Sequence, residues 1–382
     1  MRRLAQIWAL VVVALFLSCS GVTTVRDTET IYTPRYAKGF AVERDKASGE
    51  VMLCVKNPWQ GAEGVAYYTT INPEKPAQTV VAMSSSYVAM LDAVGCADRI
   101  VGISGCRFIS TPSARKAIDE GRIAEVGFDS TFDFERIKSL NADIVLLYGV
   151  AGEAKSFTNK LDELSIPYIY IGDYLENDPL GKAEWVVALS YLCGCEEEGK
   201  AFFEGVEGRY NALRKQRHCS AYRPKVMLNL PYRDTWFMPS SESYMVRLIE
   251  DADGEYVLRR ETRVKRRDKR VGERKESVVH TAQSKPISLE EALVLAARAD
   301  FWLNFGQIES LAELRAAAPR FMGVGAVRFG RIYNNTKRTN PSRGSDFWES
   351  GAVRPDLILR DLVQILHHEA PTDSLYYYKK LQ

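Results

Sequence analysis

A chain of 382 residues, 46% hydrophobic and 26% charged, is long enough for two ordinary domains and too apolar to be disordered overall. Its formal net charge of +2 is unevenly placed: residues 259–276 hold ten Lys/Arg against four Asp/Glu, residues 1–18 add Arg2 and Arg3, and the remainder is mildly acidic. A nucleic-acid binder would spread its positive charge more broadly, so that class is set aside.

The N-terminus begins Met1-Arg2-Arg3 and continues with an unbroken apolar run over 7–17. Eleven apolar residues are too few to span a bilayer but suit the core of a secretory signal. Leu17-Ser18-Cys19-Ser20 follows and resembles a bacterial lipobox, with Phe16 a loose match upstream. A signal peptide over 1–18 and lipid attachment at Cys19 are therefore expected, the alternative being ordinary cleavage nearby with Cys19 incidental. The polar stretch over 19–35 then reads as a tether. The other cysteines are Cys54, Cys96, Cys106, Cys193, Cys195 and Cys219. Their spacing matches no zinc framework, their pairing is open, and the two ends of Cys193-Gly194-Cys195 sit too close for an easy bridge. Most read as small buried residues.

Residues 36–71 hold three alternating runs broken by Gly, Asn and Pro, the pattern of a small antiparallel meander. From Thr79 the pattern changes to strand, polar loop, helix. Strands are expected at 79–83, 99–103, 142–148 and 167–171, with helices at 88–94 and 134–140. Strands that alternate with helices imply a parallel sheet covered on both faces, and the continuous Ile144-Val145-Leu146-Leu147 fits such a strand. Residues 196–217 read as one long helix, acidic at its start and basic at its end as the helix dipole favours, with Phe202, Val206, Tyr210 and Leu213 on one stripe. The alternation then restarts, with strands at 225–230, 300–305 and 328–333. Helices are expected at 242–251, 289–299, 311–318 and 355–368. The basic stretch 259–276 lacks apolar periodicity and reads as a solvated loop, or as a contact for an anionic surface. The expected fold is α/β: two Rossmann-like αβ lobes, 36–195 and 218–382, bridged by one long helix over 196–217, with the meander over 36–71.

Four segments now carry a resemblance. VVAMSSSYVAMLDAVGCADRIVG over 80–102, FDFERIKSLNADIVLL over 132–147, PISLEEAL over 286–293 and SDFWESGAVRPDLIL over 345–359 are together similar to class III periplasmic binding proteins. That family takes iron–siderophores, haem and cobalamin. Departures are Ala142 where proline is usual, the basic stretch and the meander. The resemblance implies capture of a metal chelate or corrinoid between the lobes, and delivery to an ABC permease in the inner membrane. It also implies one docking carboxylate per lobe, at Glu135 and Glu290. Without the resemblance, both would merely complement helix dipoles. No cofactor, resident metal or nucleic-acid partner is implied.

In such a fold the ligand meets loops at the carboxyl ends of the strands. This selects Ser84, Ser85, Ser86, Tyr87, Tyr148, Asp173 and Tyr174 from the first lobe. From the second it selects Tyr232, Arg233, Trp236, Asn304 and the loop before Trp348. Tyr87, Trp236 and Trp348 are the aromatic candidates, and Arg233 the candidate anion partner. Tyr148 and Trp348 fit the core equally well, and Ser84–Ser86 also suit a helix cap. Trp59 reads as a rim or meander residue. The four histidines, His218, His280, His367 and His368, form no ready-made metal cage. No GxSxG, HExxH or Walker A loop is present, so an exported hydrolase is disfavoured. A cell-surface capture module without a permease is the other alternative.

Overall fold

The structure is a computed structural model that describes residues 27–128, 131–149, 154–215, 222–258, 284–367 and 374–382. The expected signal peptide, Cys19, Cys219, His218, His280, His368 and the basic stretch 259–276 lie outside these residues. Among the described residues no helix is long and apolar enough to cross a membrane.

The N-terminal meander has four strands rather than three: β1 (Thr28–Tyr32), β2 (Phe40–Asp45), β3 (Val51–Lys56) and β4 (Ala66–Ile71), antiparallel in chain order. The added strand β1 falls inside the stretch expected to be a tether. Two buried carboxylates tie the segment after it to the first lobe. Glu184 accepts hydrogen bonds from the Tyr32 hydroxyl and from the amides of Arg35, Tyr36 and Ala37, and Glu176 accepts from Lys38, Gly39 and the Trp185 indole. Amides leaving a strand need such acceptors once they are taken from water.

The first lobe's sheet contains β5 (Val80–Ala82), β6 (Ile100–Ile103), β7 (Ala124–Glu125), β8 (Ile144–Leu147) and β9 (Tyr168–Tyr170). Their order is β7-β6-β5-β8-β9 and every pair is parallel. All four residues of β8 are buried, as its unbroken apolar run requires. Helices α1 (Ser85–Ala93), α2 (Pro112–Asp119), α3 (Phe134–Ser139), α4 (Ala154–Glu163) and α5 (Pro179–Cys193) belong to this lobe. Sequence patterning had not shown α2, α4 or α5. The long helix is α6 (Glu196–Lys215), and the last two residues of the expected span, 216 and 217, lie outside the described residues. Its side chains reach both halves: Glu207 accepts from the Tyr36 hydroxyl, Tyr210 donates to Asp251, and Arg209 pairs with Asp356 at 2.7 Å.

The second lobe's sheet has the order β12-β10-β14-β15-β16, built from β10 (Lys225–Leu228), β12 (Glu255–Tyr256), β14 (Phe301–Leu303), β15 (Ile332–Asn334) and β16 (Lys379–Lys380). It is parallel except for the closing β15–β16 pair. A separate antiparallel ribbon joins β11 (Thr235–Met238) to β13 (Lys285–Ser288). Helices α7 (Tyr244–Asp251), α8 (Leu289–Ala296), α9 (Leu311–Ala317) and the amphipathic α10, which in this numbering is Pro355–His367, complete the lobe's principal helices. The expected architecture of two αβ lobes, a long connecting helix and an N-terminal antiparallel sheet is therefore present.

Candidate functional site: a cleft between the lobes

In each sheet the connections leave the starting strand first on one side and later on the other. The loops at that reversal cannot close over one another, and a crevice opens at the carboxyl ends of the strands. In the first sheet the reversal lies between β5 and β8, and Ser85 sits just past β5. In the second it lies between β10 and β14, whose last residues are followed by Asn229 and Asn304. Both asparagines have left-handed backbones, with φ of 66° and 65°. Asn is among the few residues other than Gly that adopt this conformation readily.

These loops enclose a cleft of about 670 Å³. The first lobe contributes Ser85, Phe108 and Phe128, and the second contributes the larger share, including Tyr244, Asn304, Thr336, Arg343 and Trp348. Phe108 and Phe128 pack with tilted rings at 4.9 Å between centroids, with the Arg107 guanidinium 4.6 Å from the Phe108 ring centroid. Trp348 packs its neighbour Phe347 edge-on at 4.8 Å and remains 53% exposed. The cleft thus has aromatic surface on both walls. Its polar side chains come mostly from the second lobe. Arg343 donates to Gln307 at 3.0 Å, and the carboxylate of Glu309 is paired with Lys379. Asn334 braces the loop between them, accepting from the Phe305 amide and donating to the Gly306 and Ile308 carbonyls. Asn304 and Thr336 are each only 7% exposed, and the Asn304 Oδ1 and Thr336 Oγ1 have no hydrogen-bond partner among the described residues. Unpaired buried polar atoms at a cleft wall are costly until something satisfies them.

A seam beside the cleft holds the lobes together. Glu349, fully buried in the second lobe, accepts from the amides of Ser110 and Thr111 and from the Thr111 hydroxyl in the first. Asn340 donates to the carbonyls of Arg107 and Ile109, both at 3.1 Å. Gly344 lies so near the Phe108 carbonyl that a Cβ there would collide with it.

Of the residues selected from sequence, Ser85, Asn304 and Trp348 line the cleft. The others lie elsewhere. Tyr87 is fully buried, its hydroxyl donating to the Ile171 carbonyl at 3.0 Å and near that of Leu147. Trp236 is fully buried, packed on Trp302 and Phe321 with its indole N–H on the Leu228 carbonyl. Both aromatics therefore correct the expectation of cleft walls: they pin strands from within. Ser84 and Ser86 bond to each other at the start of α1, and the side chain of Ser84 caps no helix amide. Asp173 is buried against Lys182 at 3.0 Å. The Tyr174 hydroxyl donates to the Gly149 carbonyl, and Tyr148 is partly exposed without lining the cleft. Trp59 packs on Tyr170 at 5.2 Å. Arg233 lies over Tyr232, its neighbour on an exposed turn, and is replaced in the cleft by Arg343. His367 bonds the Ala252 carbonyl, away from the cleft. Glu135 and Glu290 are exposed in the first turns of α3 and α8. Glu290 is paired with Arg320 at 3.1 Å, and its own backbone amide and that cation hold its carboxyl below the usual range.

Sequence reading missed Phe108, Phe128, Tyr244 and Arg343. Phe108 follows β6, an expected strand, so the strand-end rule applied there would have found it; Phe128 follows β7, which is too short to show in the sequence.

A family model described as periplasmic binding protein matches residues 80–339. A periplasmic haem-binding protein from Pseudomonas aeruginosa superposes with a TM-score of 0.56 at 16% identity, covering 80% of this chain and 98% of that one. An ABC transporter substrate-binding protein from Listeria monocytogenes gives 0.52 at 14% identity, covering 77% and 99%. An uncharacterized lipoprotein from Methanocaldococcus jannaschii is 26% identical over 77% of this chain. The chain spans 66% of that relative's length.

Proposed function

The chain belongs to the periplasmic binding protein family, a family of solute carriers rather than enzymes, and we propose that its solute is an iron chelate, siderophore or haem, or a corrinoid. The observation that carries this reading is the cleft itself. It falls in the ordinary size range of small-molecule sites and joins aromatic surface on two walls to a set of polar side chains, most of them from the second lobe. Phe108, Phe128, Tyr244 and Trp348 suit a planar or bulky guest that brings its own metal ligands. Arg343 suits a carboxylate or catecholate edge, and Asn304 and Thr336 supply buried groups that still need partners. The Pseudomonas protein's haem supports the same class of guest.

Members of this family deliver their ligands to ABC permeases. Docking through Glu135 and Glu290 is part of the same proposal, supported by their exposure on separate lobes. Export and anchoring through lipid on Cys19 are supported by the N-terminal signal and by the lipoprotein relative. Capture at the cell surface without a permease is the alternative, which uptake measurements separate.

The test is direct titration of the purified protein with haemin, a ferric siderophore and cobalamin, read by tryptophan fluorescence and absorption. Micromolar or tighter binding of one of them, weakened at least about tenfold by Arg343→Ala or Trp348→Ala, is the expected result. Absence of binding by all three removes the proposal.

A further inference from the structure

Three thiols meet where the first lobe hands the chain to the long helix. Cys96 follows α1, Cys193 ends α5, and Cys195 directly precedes α6. The Cys96 and Cys195 sulfurs are 3.4 Å apart. Their backbones are fixed independently of the sulfurs: the Cys96 amide donates to the Leu91 carbonyl at 2.8 Å, and the Cys195 amide to Ser190 at 3.0 Å. Arg99, three residues past Cys96, donates to the carbonyls of Ala77 and Cys193, and so locks the two segments side by side. Gly194 between the two thiols has a left-handed backbone that ends α5 and turns the chain into α6. Cys54 and Cys106 lie apart from this cluster, the first on the meander and the second bonded to the Ile103 carbonyl.

We propose that Cys96 and Cys195 form a disulfide that staples the start of α6 to the first lobe, with Cys193 left as a free buried thiol. The sulfurs need to close by roughly 1.3 Å to reach bonding distance, a shift that side-chain rotation supplies when the backbones are already adjacent. The chemistry is exchange with an organic disulfide. One protein thiolate attacks a sulfur of the oxidant and expels one thiol. The second protein thiolate then attacks the mixed disulfide and expels the other. Two protein S–H bonds and one oxidant S–S bond become one protein S–S bond and two small thiols. Burial raises the Cys193 thiol to about 12 and raises Cys195 as well, so these two thiols hold little thiolate at neutral pH and the exchange is slow. The idea rests on the exported location proposed above only for its oxidising surroundings.

The test oxidises the purified full chain with oxidised glutathione, alkylates it unfolded, and digests it without reductant. A peptide containing Cys96 linked to the peptide containing Cys193 and Cys195 is expected in the wild type and in Cys193→Ser, and its absence in Cys195→Ser. Reducing the wild type with a phosphine should lower its melting temperature by roughly 5–10 °C. Full alkylation of Cys96 after oxidation, or a linkage that persists in Cys195→Ser, overturns the proposal. Neither readout involves a solute, so its failure leaves the binding function standing, and a failed titration leaves the bridge untouched.

Discussion

Glu349 sits in the second lobe, yet the Ser110 amide and the Thr111 amide and hydroxyl that it accepts from all belong to the first. Burial pushes its carboxyl above the usual 4.5, further raised by nearby Asp346 and only partly offset by those donors. In the window between the unfolded value and the raised folded one, the folded protein holds more protons than the unfolded chain. Stability attributable to Glu349 therefore falls as pH rises through that window and is flat above it. Glu349→Gln should remove this contribution, so the melting-temperature gap between wild type and variant should shift against the wild type as pH rises from 4 through the window. A constant gap would contradict the assignment. Gly344 makes a second residue-scale prediction. Gly344→Ala must push the Phe108 backbone away, because the obstacle is a carbonyl and not a flexible side-chain end. A loss of about 1–3 kcal/mol in stability is expected from denaturant unfolding, with weaker solute binding from the widened seam.

Among the elements, α5 shows what patterning cannot see. Fourteen of its residues are buried, on every side, so no 3.6-residue alternation marks it. Its ends were nevertheless written in sequence. Asp178 caps the Leu180 and Gly181 amides, Pro179 occupies the first turn, and Gly194 closes the helix. Asp178→Ala should cost about 1 kcal/mol by equilibrium unfolding. Glu184, on the same helix, should matter more. Glu184→Ala strands the Arg35, Tyr36 and Ala37 amides and should open the segment around residues 33–39 to proteases before the lobes unfold. Cleavage no faster than in the wild type would show that the strands alone hold it. The two-residue strands β7, β12 and β16 were equally invisible, since two residues cannot display a period.

At the scale of the whole molecule, Glu135 and Glu290 are exposed on separate lobes. On the docking proposal, Glu135→Arg combined with Glu290→Arg should lower uptake at least about tenfold while leaving solute affinity unchanged. Equal uptake with normal binding would remove docking. The sequence by itself determined the repeated strand–helix alternation, the long helix and the loops that bear Ser85 and Asn304, because these follow from local periodicity and strand ends. It could not rank Tyr87, Trp236 and Trp348, which are chemically alike in their local context. Only the tertiary structure decided that Trp236 meets Trp302 and Phe321 inside the second lobe while Trp348 keeps an open face. The physical reason is distance along the chain: whether an aromatic ring is covered depends on residues far from it in sequence, brought against it by the packing of other elements.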